Sequence, residues 1–74
     1  MKYKAYLTAS LESLVNEEYI GEFDDENIAF KAAFDAHVAR GYRTDRYTRG
    51  LMNPDGTYYD VGSWSHFIAV IPQK

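Results

Sequence analysis

A chain of 74 residues, of which 46% are hydrophobic, can build one small core in a single domain, residues 1–74, and is not disordered. The absence of cysteine excludes disulfides and thiolate metal sites, and it favours a reducing, cytoplasmic location. A net charge of −3 argues against a dedicated nucleic-acid binder. We expect no membrane partner, because no apolar run is long enough for a signal peptide or a membrane span.

The first predicted element is a strand at residues 2–9, where apolar and polar residues alternate with the period of two of a half-buried strand. Ala5 and Leu7 fall on its inner side. Residues 10–17 are ambiguous: their apolar residues have helical spacing, but eight residues also suit a loop that tucks those side chains under the sheet. The sequence leaves both alternatives open.

A second strand is predicted at residues 18–23, with the sequence EYIGEF. The alternation places Tyr19 and Phe23 on the inward side. A glycine inside a strand often marks a bulge or the close approach of another backbone, so we expect one of the two at Gly21.

The clearest element is an amphipathic helix. Asp24 or Asp25 can cap its N-terminus, Phe23 can contact Ile28 across the cap, and Gly41 stands where a helix commonly ends. The apolar residues recur every three or four positions and predict one stripe facing a sheet: Phe30, Ala33, Phe34, His37 and Val38.

Three further strands are predicted after the helix. The sequence NPDG at residues 53–56 favours a type I turn, so residues 47–52 and 57–61 should form a hairpin. Residues 64–71 are apolar on both faces toward their end, as in a central strand. The predicted fold class is α+β: a single antiparallel sheet of four to five strands packed on one helix, in the order ββαβββ. The side of the sheet without the helix is expected to face water or a partner.

Charged residues are strongly clustered. Residues 17–26 contain six acids, and residues 40–49 contain four arginines at every third position. A helix of roughly fifteen residues would separate the two segments by about 20 Å, which predicts an electrically bipolar molecule. The arginine segment has mixed faces as a strand, so we expect a loop that becomes a strand only near Tyr47.

Enzymatic and metal-binding functions find little support. No nucleophile motif or phosphate-binding loop is present, so we predict no catalytic residue and no cofactor, and we interpret His37 and His66 as structural. Asp55, Asp60 and His66 could approach one another across a hairpin, but they lack a recognisable metal-ligand spacing. We therefore predict no metal site.

Seven tyrosines, four phenylalanines and one tryptophan exceed what so small a core needs. Tyrosine, tryptophan and arginine are the residues that most often anchor protein interfaces. We therefore predict a non-enzymatic protein-binding module, with a homodimer through the uncovered sheet face as an open possibility. The predicted partner-binding residues are Arg43, Arg46, Tyr47, Arg49, Tyr58 and Trp64, with the acids Glu17, Glu18, Glu22, Asp24 and Asp25. The alternative is a small nucleic-acid-binding domain that uses the arginines and tyrosines of residues 40–49.

The stretch YIGEFDDENIAFKAAFDAHVARGY, a strand followed by an acid-capped helix, resembles small phage and mobile-element proteins, including some anti-CRISPR inhibitors. The resemblance covers most of the chain as a layout and includes no diagnostic motif. It implies an inhibitor that docks on a bacterial defence complex and blocks its access to nucleic acid. In that case the acids would compete for a basic groove, and the arginine and tyrosine segment would anchor a second contact.

Overall fold

A computed structural model describes residues 1–73, which form one antiparallel sheet of five strands and one helix. The elements are β1 (Lys2–Thr8), β2 (Glu18–Phe23), α1 (Glu26–Ala39), β3 (Arg49–Asn53), β4 (Gly56–Asp60) and β5 (Phe67–Gln73). The strand order across the sheet is β2-β1-β5-β4-β3. The predicted α+β class and the order ββαβββ are confirmed. No helix in the described part of the chain is long and apolar enough to cross a membrane.

β5 is the central strand, as its continuous apolar sequence predicts. Its neighbours are β1 and β4, and Ile68, Ala69 and Val70 are all buried, so both faces of the strand are covered. The strand begins at Phe67 and not at the predicted residue 64. The reason is local: the buried Ser63 hydroxyl accepts hydrogen bonds from the backbone N–H groups of residues 65 and 66, which holds this segment in a turn.

β2 contains a bulge. Its pairing with β1 changes register between Gly21 and Tyr19, which leaves Ile20 as the extra residue. The bulge reverses the alternation, so Tyr19 and Phe23 lie on opposite faces. The prediction that both point inward is therefore wrong: Tyr19 is 55% exposed beside Tyr6, while Phe23 packs on the core. A Cβ on Gly21 would lie 3.0 Å from the Phe23 ring, so this glycine makes room for a side chain next to the bulge.

The helix α1 starts at the predicted cap. The Asp25 carboxylate accepts hydrogen bonds from the backbone N–H groups of Asn27 (2.8 Å) and Ile28 (3.1 Å). Most of the Ile28 side chain remains in water, so a contact with Phe23 contributes little. Gly41 has a φ of 78° just after the helix, as predicted for a left-handed terminating residue.

The buried stripe of α1 consists of Ala29, Ala33 and His37, with Phe30 and Phe34 half-buried beside it. Small alanines let the helix lie close to the sheet, where it packs on β1, β2 and β5. The predicted member Val38 is exposed, because it lies past the edge of this stripe. The core that faces the helix is formed by Ala5, Leu7, Val61, Ile68 and Val70.

The predicted hairpin forms around a two-residue turn, Pro54 and Asp55, between the paired residues Asn53 and Gly56. Neither turn residue has a positive φ, which fits the predicted type I turn and not the type II or primed classes. A Cβ on Gly56 would lie 2.5 Å from the Val70 carbonyl oxygen, so only glycine lets the hairpin approach β5 this closely.

Residues 9–17 form a loop, which settles the alternative that the sequence leaves open. The loop is fixed to β1, since the buried Thr8 hydroxyl accepts a 2.9 Å hydrogen bond from the Val15 N–H. It is also fixed to β3, since the Asn53 side-chain amide donates to the Leu11 carbonyl at 2.7 Å. It therefore spans part of the sheet face opposite the helix, and the expectation that this whole face is uncovered is wrong.

Candidate protein-binding surface

Two loops at the C-terminal end of α1 carry four of the eleven predicted partner-binding residues, and a fifth, Arg49, begins β3 directly after the first loop. One is formed by residues 41–48 and the other by residues 61–66. They are in direct contact: the Asp45 N–H donates to the Val61 carbonyl at 2.7 Å, and a Cβ on Gly62 would lie 2.5 Å from the Asp45 nitrogen. The contact brings five predicted residues to one end of the molecule. We call these the arginine–aromatic surface: Arg43, Arg46, Tyr47, Arg49 and Trp64.

The first loop is anchored by contacts among three rings, one pair stacked and the other edge to face. Tyr42 lies between His37 and His66, with ring centroids 5.3 Å and 3.7 Å away, and it is nearly parallel to the His66 ring. The buried His37 Nε2 lies 2.9 Å from the Arg43 carbonyl oxygen. Since a carbonyl only accepts, Nε2 carries the proton and donates. Both histidines thus help to hold the loops in place.

The side chains of the arginine–aromatic surface are exposed. Trp64 and Tyr47 are 85% and 82% exposed, respectively. The Arg43 guanidinium lies 5.8 Å from the centre of the Trp64 ring, within the range of a cation–π interaction. Arg49 lies 3.4 Å from the Asp60 carboxylate, whereas neither Arg43 nor Arg46 has an acidic partner within residues 1–73. Two cations and two large rings are therefore available for a partner.

An open pocket of about 430 Å³ lies between the two loops. It is lined by Gly41, Tyr42, Arg43, Ser63, Trp64 and Ser65. Its aromatic lining comes from Tyr42 and Trp64, and its polar lining comes from the Arg43 guanidinium and the two serines. Such a pocket suits a side chain that is partly apolar and partly acidic.

Tyr58 does not belong to this surface, which corrects its predicted role. It is fully buried in the middle of β4, on the face that the 9–17 loop crosses. Its hydroxyl donates to the Asp55 carboxylate at 2.8 Å. Burial, reinforced by Asp55, raises the pKa of Tyr58 well above its ordinary value. The sequence offered no way to distinguish Tyr58 from its neighbour in the same strand.

The predicted acids do not form one cluster. Glu18, which follows Glu17 in the sequence, makes a two-pronged ion pair with Arg40 at the C-terminal end of α1. Glu22, Asp24 and Asp25 lie at the opposite end of β2, where Asp24 pairs with Lys2 at 2.5 Å. A hydrogen bond and the charge of Lys2 lower the pKa of Asp24.

The acids therefore follow β2 along the helix, with members near both helix ends, and the predicted separation of acidic from basic residues is wrong. The contact between Glu18 and Arg40 joins the two segments directly. The helix length alone suggested a distance of about 20 Å, but β2 runs beside the helix and returns its first residues to the basic end.

The three residues weighed as metal ligands have other partners. Asp55 accepts from Tyr58, Asp60 accepts from the Gly62 N–H at 3.0 Å, and His66 stacks on Tyr42. In the described residues, no group of three or more His, Cys, Asp or Glu side chains is placed to hold a metal ion.

Sequence reasoning missed two features, one at this end of the molecule and one near the hairpin turn at the other end of β3. The stacking of Tyr42 on His66 joins residues 24 positions apart, and no local signal announces it. Met52 is 88% exposed on β3, although alternation alone left its side undecided.

In comparisons with known proteins, the chain matches no family model, no curated protein and no solved structure. Its function must therefore be inferred from the geometry of the chain itself.

Proposed function

We propose that this protein is a non-enzymatic protein-binding module that docks its arginine–aromatic surface on an acidic patch of another protein. The observation that carries the proposal is the exposure of Trp64 and Tyr47, at 85% and 82%, beside Arg43 and Arg46, which have no acidic partner among the described residues. Exposed apolar patches rimmed by polar residues mark interaction sites, and Trp, Tyr and Arg dominate the energetics of interfaces.

The loops that carry these side chains are held in place before any partner arrives. Tyr42 is clamped between two histidines, and Asp45 is bonded to Val61. A partner therefore meets a surface whose backbone is already ordered, so less conformational entropy is lost on binding. The open pocket beside Trp64 and Arg43 would accept an acidic side chain from the partner.

A more specific form of the proposal is an inhibitor of the anti-CRISPR type, which occupies a bacterial defence complex and blocks its access to nucleic acid. The support for it is the layout of strand and acid-capped helix, together with acids that follow β2 toward both ends of the helix. Such acids would imitate phosphate groups in a basic groove of the complex, while the arginine–aromatic surface would anchor a second contact on an acidic patch of it. Loss of nucleic-acid binding by the isolated complex when this protein is added would test this form.

Nucleic-acid binding is the second candidate. It is favoured by the exposed rings of Tyr47 and Trp64 beside Arg43 and Arg46, since bases stack on aromatic side chains and arginines contact phosphates. It is opposed by the net charge of −3. A steeply salt-dependent shift of a labelled single strand or duplex would favour this candidate over the first.

Affinity capture with matched variants tests the main proposal. The immobilised protein is exposed to a bacterial lysate, and retained proteins are identified by mass spectrometry. We expect Trp64→Ala and Arg43→Ala each to weaken retention of a specific partner by at least about tenfold, the loss of an interface anchor. The controls are Tyr19→Ala and Lys31→Ala, an exposed ring on β2 and an exposed cation on α1. Equal retention by Trp64→Ala, with its fold verified by circular dichroism, would contradict the proposal.

A further inference from the structure

β3 ends the sheet with an exposed edge. It follows β4 in the strand order, and its other side pairs with no strand among residues 1–73. Met52 is 88% exposed and Leu51 is 38% exposed, so apolar side chains stand on both faces of this edge. An exposed, partly apolar edge strand is a template for pairing with another chain.

The two edges of the sheet differ in how they are protected. β2, at the opposite edge, has the bulge at Ile20 and carries Glu18 and Glu22. Bulges and charges are the usual devices that prevent pairing at a sheet edge. β3 is regular along its five paired residues, has no proline or lysine, and carries only Arg49 as a charged residue. The β3 edge thus lacks the protection that β2 has.

The hydrogen bonds that β3 can offer follow from its turn. A two-residue hairpin makes the residues that flank the turn a hydrogen-bonded pair, and bonded and non-bonded pairs then alternate. Asn53, Leu51 and Arg49 therefore direct their backbone groups to β4. Gly50 and Met52 direct theirs outward, away from the sheet.

We propose that a second copy of this chain pairs with β3 in antiparallel orientation, with the two-fold axis at Leu51. In this register Gly50 of each copy exchanges two backbone hydrogen bonds with Met52 of the other, and the two Leu51 residues form the non-bonded pair between them. Every outward backbone group of Gly50 and Met52 is then satisfied. The two sheets become one sheet of ten strands.

The side chains fit the same register. Met52 of one copy would lie opposite Gly50 of the other, where the missing side chain leaves space. A Cβ at Gly50 would lie 3.6 Å from the Tyr59 ring, so the methionine meets an aromatic surface there. Arg49 lies opposite Asn53, and no two like charges face each other across the axis. The inference concerns β3 and goes beyond the proposed function of the arginine–aromatic surface.

Five residues from each copy bury a small area, so we expect a weak dimer that forms at high protein concentration. Disulfide trapping detects such a dimer and reports its register. The natural chain has no cysteine, so a single introduced one has no competitor. In the proposed register the Cα atoms of residue 51 face each other about 4.5 Å apart, whereas those of residue 52 are separated by about 9 Å, too far for a disulfide.

We expect Leu51→Cys to form a covalent dimer under mild oxidation at least about tenfold faster than Met52→Cys. Met52→Cys is a stringent control, because Met52 is the more exposed of the two positions and exposure alone would favour its crosslinking. Faster crosslinking of Met52→Cys, or equal rates for the two variants, would overturn the proposal.

A second variant tests the hydrogen bonds independently. The Met52 N–H points outward, so Met52→Pro removes two of the four hydrogen bonds of the dimer, one from each copy, and leaves the pairing of β3 with β4 intact. Sedimentation at concentrations up to about 1 mM should show a reversible dimer for the natural chain and a monomer for Met52→Pro. A natural chain that stays monomeric throughout this range, or a dimer that persists in Met52→Pro, would refute the two-fold pairing of β3.

Discussion

At the scale of single residues, Gly62 does most to position the arginine–aromatic surface. Its φ of 107° is accessible to glycine and strained for other residues, and its Cα lies against the backbone of Asp45. The residue thereby fixes the distance between the loop that carries Trp64 and the loop that carries Arg43 and Tyr47.

We expect Gly62→Ala to lower the free energy of unfolding by about 2–4 kcal/mol, because the new Cβ adds a clash with Asp45 to the backbone strain. Gly41→Ala is the matched control: it has a φ of 78° but no atom within 4 Å of the new Cβ, so it should cost about 1 kcal/mol. Denaturant unfolding measures both values. Equal losses would show that the contact between the loops is not tight.

Tyr58 makes stability depend on alkaline pH. Burial raises the pKa of its hydroxyl above the ordinary value of 10.0, so the folded state keeps the proton that the unfolded state releases. The stability conferred by the neutral hydroxyl is complete below pH 10 and falls as the pH rises further, by up to about 1.4 kcal/mol per pH unit. Burial also raises the pKa of Tyr59, which adds to the effect.

Denaturant unfolding at a series of alkaline pH values, followed by circular dichroism, should therefore show a steeper loss for the natural chain than for Tyr58→Phe. At neutral pH the same variant should be less stable by about 1 kcal/mol, because it lacks the hydrogen bond to Asp55. Identical pH dependence of the two proteins would mean that Tyr58 ionises without unfolding.

At the scale of elements, the features that sequence predicts correctly are those encoded by neighbouring residues. Asp25 and Gly41 delimit the helix, NPDG specifies the hairpin, and the apolar run of residues 67–71 identifies the central strand. Each of these signals is contained in a few consecutive residues. The order of elements and the antiparallel sheet follow from these signals and from the short connections.

The features that sequence does not predict depend on distant contacts. The bulge at Ile20 exists because of pairing with β1, and it reverses the side on which Tyr19 lies. The 9–17 loop lies across the sheet because Thr8 and Asn53 bind it. The candidate surface can be proposed from residue type alone. The burial of Tyr58 cannot be predicted in this way, because it depends on distant parts of the chain.

The helix cap provides a test at this scale. Asp25→Ala should lower the free energy of unfolding by about 1 kcal/mol, because two backbone N–H groups lose their acceptor. Asp24→Ala removes an equal charge from the adjacent position, where the side chain makes an exposed ion pair with Lys2, and should have little effect. Thermal unfolding of the two variants compares cap and charge directly. A larger loss for Asp24→Ala would mean that the ion pair, and not the cap, stabilises this end of the helix.

At the scale of the whole molecule, the layers do not cover the sheet evenly. The helix packs over β2, β1 and β5, and the 9–17 loop covers part of the other face. β3 is exposed along nearly its whole length and, within residues 1–73, pairs only with β4. Packing thus decreases from the central strand toward the edge that we propose as a dimer contact.

Amide hydrogen exchange should follow this gradient. In dilute solution, where the chain is monomeric, the amides of Ile68, Ala69 and Val70 should exchange only through global unfolding, because β5 is buried on both faces. Within β3, Leu51 should exchange more slowly than Gly50 and Met52, whose N–H groups point away from β4. Exchange followed by NMR distinguishes these sites one by one. Protection of Gly50 and Met52 equal to that of β5 in dilute solution would contradict both the free edge and the alternation from which its register was inferred.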